Sequence, residues 1–544
     1  MLTELFIIAS LETQIVAEIL KPRLESHGVA VREGAAMTLF LKIDKSLETD
    51  TYVMEDVQGG WRLRAPALSE LFNGAGRFLH ESRYTADGME PWTGRGTFKL
   101  FKPLRAIYFA THFYNFYHIA PMEEIQEYLE DLALWGFNTL AFWYDLHHFK
   151  NFDDPDAVAF RERLSAFAGM ARRLGMKLFY LIVSNEAYAD SPVELRAIKE
   201  GGMRGGWYDS QICPSKPGGM DYLKQQFEQN CRGFIASLKP DYVTIWPYDQ
   251  GGCGCELCKP WGGNAFLKIY EAFRPIGDKY FPQAKWIVAF WYCDDTEWHL
   301  GLEKVKNNPN YCDFLMEEIP VFKERPPKGT PLLGFPEISM NHQPWGGYGI
   351  APQPDRYQKQ WDARKAELSG GYPYSEGIFE DLHKAMFAQF YSYDRPAWET
   401  VRIYAAYHFG EKVADQVVDL VKLLEMNHDL PRKAKWFLDT HPTVMNWILQ
   451  NIKPLEGWPH VKNAYGLAKA IDAELPDSIR TSWRWRIFML RTVIDLEFAE
   501  HGGLPTDVCD KAFAELIKIY HSPNSHGWVK PPISKRYKPK ELKA

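Results

Sequence analysis

The sequence predicts an α/β chain built on a TIM (β/α)8 barrel, with a small α/β domain before it and a helical domain after it. Three observations carry this expectation. Between Pro103 and Tyr391, short apolar runs alternate with amphipathic stretches, the pattern of a parallel sheet with helical crossovers. Before that region strands and helices mix without such regularity, and from Ala397 onward apolar residues recur at helical spacing. Acidic and aromatic residues also gather where the predicted strands end, the end at which a barrel places its loops for chemistry.

Residues 1–100 form the predicted first domain. Glu4 to Ile8 reads as a strand and Thr13 to Ser26 as a helix. Thr38 to Ile43, Thr51 to Glu55 and Trp61 to Arg64 read as strands, with Gly59-Gly60 as a hairpin turn. Pro66 to Glu81 reads as a helix, with the proline in its first turn.

Residues 101–395 form the predicted barrel. Its strands are Arg105–Ala110, Thr139–Tyr144, Lys177–Val183, Tyr242–Trp246, Lys285–Tyr292, Asp313–Met316, Leu332–Phe335 and Gly371–Tyr374. Helices are expected between them, including Pro121 to Gly136, which opens on proline and closes on glycine. A helix over Leu302 to Asn307 is expected to be short. Residues 396–529 form the predicted helical domain. Residues 530–544, basic and proline-containing, read as an extended tail.

The bulk properties narrow the function. The chain has 544 residues, and 63 Lys+Arg against 70 Asp+Glu give a net charge of −7, with no basic stripe for nucleic acid. Aromatic residues make up 15%, including 19 Trp, enough to line a site for a flat-faced ligand such as a sugar. The opening residues lack a basic n-region and carry Glu4 and Glu12, so no signal peptide is expected. No apolar run approaches the ~18 residues of a membrane span. Eight cysteines without an export signal point to thiols or a metal, and to the cytoplasm. The oligomeric expectation extends to a homodimer.

Two constellations carry chemistry. The first is a set of carboxylates at strand ends: Glu186, Asp249, Asp294, Asp295, Glu317, Glu318, Glu337 and Glu376. Glycosidic cleavage commonly uses two, one protonated as acid and one ionised as nucleophile or base. Asp249 and Glu337 are the expected catalytic pair, with Asp249 as the acid. Glu318 and Glu376 are in reserve. His112, Trp143, Tyr144, Glu186, Trp246 and Trp291 complete the expected sugar site; each Trp could equally be core.

The second constellation is Cys253-x-Cys255-x-x-Cys258, with Cys213 upstream. Four thiolates suit tetrahedral zinc, and because every ligand is a protein group the zinc would be structural. Free thiols or a disulfide are the alternatives. Four thiolates leave no open position for a zinc hydrolase.

The order of parts resembles β-N-acetylhexosaminidases and bacterial α-glucuronidases. Gly60-Trp61-Arg62-Leu63-Arg64-Ala65 with Leu71-Phe72-Asn73-Gly74-Ala75 looks like their leading domain, and a helical domain after the barrel is closer to the α-glucuronidases. The resemblance implies a general acid after strand four and carboxylates after strands six and seven, the places of Asp249, Glu318 and Glu337. The chain departs from the hexosaminidases at Gln250, where they carry the Glu of an Asp-Glu pair, and from the α-glucuronidases, which have Glu in place of Asp249. The cysteines are similar to those of zinc-containing β-galactosidases. The Gly251-Gly252-Cys253 run and Tyr374-Ser375-Glu376-Gly377-Ile378 look like a separate family of hydrolases. The implied activity is exo-acting cleavage of oligosaccharides, α-glucuronidase-like or β-N-acetylhexosaminidase-like. The alternative is a non-catalytic sugar-binding protein on a hydrolase scaffold.

Overall fold

A computed structural model describes residues 1–112, 115–198, 210–248, 251–317, 322–339, 349–427, 459–501 and 506–521. Eight parallel strands form the centre of the fold. They are Leu104–Phe109, Thr139–Trp143, Lys177–Val183, Tyr242–Trp246, Lys285–Ala289, Phe314–Glu317, Leu332–Gly334, and an eighth in two pieces, Leu368–Gly371 and Tyr374–Ser375. Each pairs with the next, and the first pairs with both the second and the eighth, so the sheet closes as a TIM barrel. Strands one, two and four are buried along their whole length. That burial explains why they read as near-continuous apolar runs.

The eighth strand differs from the expected Gly371 to Tyr374. Gly370 has φ +138° and lies so close to the Leu104 carbonyl that no side chain fits there. The strand breaks after Gly371 and resumes at Tyr374, still paired with strand one. The helix expected only over Leu302 to Asn307 begins earlier, at Asp295. Asp294 caps it: its carboxylate accepts from the Glu297 amide, and Glu297 reaches back to the Asp294 amide. Asp294 and Asp295 are therefore helix-start residues. The sequence signal was Asp294 followed three residues later by Glu297.

The N-terminal domain is a six-stranded mixed sheet. Its first four strands in spatial order, Ala30–Val31, Glu4–Ile8, Thr38–Ile43 and Gly60–Ala65, run parallel. Thr51–Val57 and Gly96–Lys99 add antiparallel pairs. The helix Leu68–Glu81 docks the domain on the barrel helix Met122–Trp135. Gly76 makes the close approach feasible, since a side chain there would overlap the Leu134 carbonyl.

Helices Ala397–Phe409, Ala414–Met426, Pro459–Glu474, Trp483–Glu500 and Asp507–Ile519 pack as a bundle against the barrel. Arg484 anchors it, reaching Asp131 and Asp381 on two barrel helices at 2.8 Å each. The expected segment around Trp436 and Trp447, and the tail from residue 530, lie outside the described residues. Among those described, no helix is long and apolar enough to cross a membrane.

Glu317 ends strand six but faces the outer helices. Its carboxylate receives Arg325 at 2.6 Å and Arg364 at 2.7 Å, and it is fully buried. Removing one member of a buried ion cluster strands the others' charge. Glu317→Ala is expected to destabilise the fold by about 3–5 kcal/mol. Urea unfolding measures this, and a midpoint equal to the parent's would refute the assignment.

Candidate active site

The barrel closes around a narrow aromatic cup at the C-terminal ends of its strands, a cavity of about 40 Å³. Seven of the eight strands or their following loops contribute. Tyr108 and His112 come from strand one, Trp143 from strand two, and Leu181 and Val183 from strand three. Trp246 comes from strand four, Trp291 follows strand five, Phe335 and Glu337 follow strand seven, and Tyr374 lies in strand eight. Trp246, Trp291 and Phe335 form a triangle of rings with centroids 4.9 to 5.6 Å apart. Tyr108 and Tyr374 extend that wall at 5.3 Å, and His112 meets Trp143 edge-on at 5.0 Å. Such rings present flat apolar faces and keep their own shape.

The polar groups of the cup are few and ordered. The Tyr374 hydroxyl donates to Glu376 Oε1 at 2.7 Å and lies 3.0 Å from His112 Nε2. A hydroxyl carries one proton, so His112 donates to Tyr374 in this chain. Burial, with the charges of Glu376 and Glu337 behind it, pushes the Tyr374 phenol well above its usual range. Burial also lowers His112 to about 3, so its ring is neutral near pH 7. Glu337 is half-buried and lines the cup. Its backbone bridges to Tyr374, and its carbonyl accepts from the Tyr357 hydroxyl at 3.1 Å. The Glu376 amide in turn donates to Ser339 at 2.9 Å.

Two expected sugar contacts lie elsewhere. Tyr144 follows Trp143 by one residue, and alternation along the strand turns it to the opposite side. It packs between Phe149 and Phe234, and its hydroxyl accepts from Arg161 at 2.9 Å. Glu186 turns toward the loop after strand two, where it accepts from the Leu146 and His147 amides and lies 2.5 Å from His147 Nδ1. Burial and the nearby Asp145 raise its carboxyl well above the ordinary range. Asp249, Gln250 and Glu318 lie outside the described residues. The cup thus brings together His112, Trp143, Trp246, Trp291 and Glu337, with Glu376 reached through Tyr374.

The residues flanking Asp249-Gln250 are held on both sides. The Tyr248 hydroxyl donates to Glu297. Asn185 donates to the Gly252 carbonyl at 2.8 Å and to the Ile212 carbonyl at 2.9 Å, and accepts from the Gly252 amide at 2.8 Å. One amide side chain so joins the loops after strands three and four.

The same two loops carry the cysteines. The sulfurs of Cys213, Cys253, Cys255 and Cys258 all lie within 4.8 Å of one another. Cys213 is 3.7 Å from both Cys255 and Cys258. A tetrahedral zinc with bonds of about 2.3 Å sets its sulfurs about 3.8 Å apart, so the donor set and its spacing fit that ion. Three of the four are buried, and all are free thiols. A hydrogen bond with Cys258 lowers Cys253 to about 5, while burial pushes Cys213 up to about 11. The four thiols do not ionise together unless a cation offsets the charge.

Three groups were not singled out from sequence: Tyr374 as the bridge of the cup, Asn185 as the loop clamp, and the Asp145-His147-His148 cluster. Only the last left a legible signal, two histidines and an aspartate within four residues at a strand end.

No protein-family model matches the chain, and no curated protein matches it in sequence. Solved structures do match in fold. A family GH138 enzyme targeting pectin rhamnogalacturonan II aligns with TM-score 0.59 at 12% identity, over 95% of this chain and 89% of that one. A GH115 4-O-methyl-α-glucuronidase with specificity for decorated arabinogalactans aligns with TM-score 0.61 at 11% identity, over 96% and 77%. A Clostridium perfringens GH89 protein, in complex with GlcNAc-α-1,4-galactose, aligns with TM-score 0.59 at 13% identity, over 93% and 65%. The chain has a glycoside-hydrolase-like fold, as its resemblance implied.

Tyr374→Phe removes the hydroxyl shared by His112 and Glu376. It is expected to cost about 1–3 kcal/mol of stability. Equilibrium urea unfolding reads this out, and an unchanged midpoint would mean the hydroxyl chain holds nothing in place.

Proposed function

We propose that the protein is an exo-acting glycoside hydrolase of the cytoplasm that cleaves oligosaccharides through two carboxyl groups. One observation carries the proposal: Glu337 is among the residues lining a ring-walled cup at the C-terminal end of a closed barrel's strands, where such barrels place their chemistry. The fold neighbours act on or bind carbohydrates, α-glucuronidase and GlcNAc-α-linked chemistry among them. That supports an α-glucuronidase-like substrate; the β-N-acetylhexosaminidase-like alternative rests on the order of parts in the sequence.

In this reading Trp246 and Trp291 stack on the sugar. Asp249, protonated, gives its proton to the leaving oxygen as the glycosidic bond breaks. Glu337, ionised, serves as nucleophile or as base for the attacking water. His112, through Tyr374, fixes the hydroxyl that neighbours both Glu337 and Glu376. Glu318 stands in reserve for orienting that water.

The four cysteines are proposed to hold a structural zinc that pins the loops after strands three and four. Zinc supplies cross-linking there and takes no part in bond cleavage.

Glu337→Gln and Asp249→Asn are each expected to lower kcat/KM on the cleaved glycoside by about 10²–10⁴-fold, with an unchanged circular dichroism spectrum. Parent-like turnover by either variant removes that residue from the mechanism. Gln250 favours a second reading, a sugar-binding protein without turnover, because an amide cannot donate an acidic proton. A panel of aryl glucuronides, N-acetylhexosaminides and galactosides separates the two. Tryptophan fluorescence changes without aglycone release across the panel would establish the second. Cys258→Ser is expected to lose bound zinc, read by mass spectrometry of the metal, and to lower Tm. Unchanged metal content would dispose of the zinc site.

A further inference from the structure

Loop two, which follows Trp143, holds a second set of metal-ligating side chains unlike the first. Asp145, His147 and His148 each bring a donor atom to within 4.8 Å of the others. The Asp145 side chain has no solvent exposure, and those of His147 and His148 have 3% each. His148 Nδ1 lies 2.5 Å from Asp145 Oδ2, yet the approach is not aligned as a hydrogen bond. Among the described residues neither carboxylate oxygen of Asp145 has a hydrogen-bond partner. Buried carboxylates are costly unless paired or bound to a metal.

A supporting layer is also present. Glu186 lies 2.5 Å from His147 Nδ1 and is itself held by the Leu146 and His147 amides. A carboxyl group behind one ring nitrogen is the usual companion of an imidazole that ligates through the other. Glu186 comes from the loop after strand three, so the arrangement joins two loops beside the cup.

We propose that Asp145, His147 and His148 bind a divalent first-row transition-metal cation, with Glu186 orienting His147 from behind. Mixed imidazole and carboxylate donors suit zinc, manganese or iron(II), whereas the four thiolates across loops three and four select a softer site. The two centres are therefore chemically separable. The ion would neutralise the buried Asp145 and tie loop two, which begins at the cup residue Trp143, to loop three.

Cobalt(II) titration of the full chain, stripped with a chelator, tests this. Cobalt on thiolates gives an intense charge-transfer band, and cobalt on nitrogen and oxygen gives weak d–d bands alone. The parent is expected to show the weak d–d bands as a component separate from any thiolate band. His148→Ala and Asp145→Asn are each expected to lose that component, one equivalent per chain, and keep the thiolate band. Cys258→Ser is expected to do the reverse, which separates this site from the four-cysteine site. A parent that shows no thiolate-free component overturns the proposal, whatever the variants' folding. So does retention of that component in both folded variants.

Discussion

Closure of the sheet is the constraint on which everything else rests. Strand one carries two ladders, to strand two and to strand eight. At Gly370 and Gly371 the eighth strand has room for backbone only: a side chain would strike the Leu104 carbonyl at one and the Gly334 carbonyl at the other. These two positions let an irregular strand complete the ring. Only because the ring closes do Tyr108, Trp246, Glu337 and Tyr374, far apart in the chain, share one cavity. The same closure divides side chains into two populations. Trp143 faces the cup and Tyr144 the helices; Glu317 faces the helices and ends in an ion cluster.

The loops above the ring are stabilised by polar groups rather than by apolar packing alone. Asn185 bonds to two loops, Glu186 to a third, and Glu297 joins Tyr248, Gly262 and its own helix start. Each of these is buried, and a buried polar side chain left unmatched costs more than the bond it makes is worth. Such groups therefore specify one loop arrangement. The four sulfurs lie on two of those loops, the same two that Asn185 joins.

Much of this fold was legible in the sequence because period and punctuation agreed. Tyr242–Trp246 read as a buried strand and is one, and Lys177–Val183 read as a strand and is mostly buried, since both are largely apolar and both lie in the ring. The helix over Met122–Trp135 was marked by proline before it and glycine after it. Side chains lie away from the cup where a polar group does local work. Asp294 looked like a site carboxylate because the pair it makes with Glu297 was not weighed. Glu186 looked like a cup residue because strand-end position alone says nothing of which loop a side chain turns toward. Tyr144 lies off the cup because of the one-residue alternation along the strand. His112 and Glu337 fell in the cup as expected, but the hydroxyl of Tyr374 that links His112 to Glu376 could not be read from spacing. It depends on the register between strands one and eight.

The last described helix leaves a consequence for synthesis. The Tyr520 hydroxyl donates to the Glu376 carbonyl at 2.7 Å, and its ring covers Gly377. All eight barrel strands precede residue 376, yet the wall beside Glu376 lacks this partner until residue 520 has left the ribosome. Domains generally fold in order of emergence. A nascent barrel would thus hold its ring while its rim stays unfinished for more than a hundred further residues, and ligand capture would wait until residue 520 had emerged.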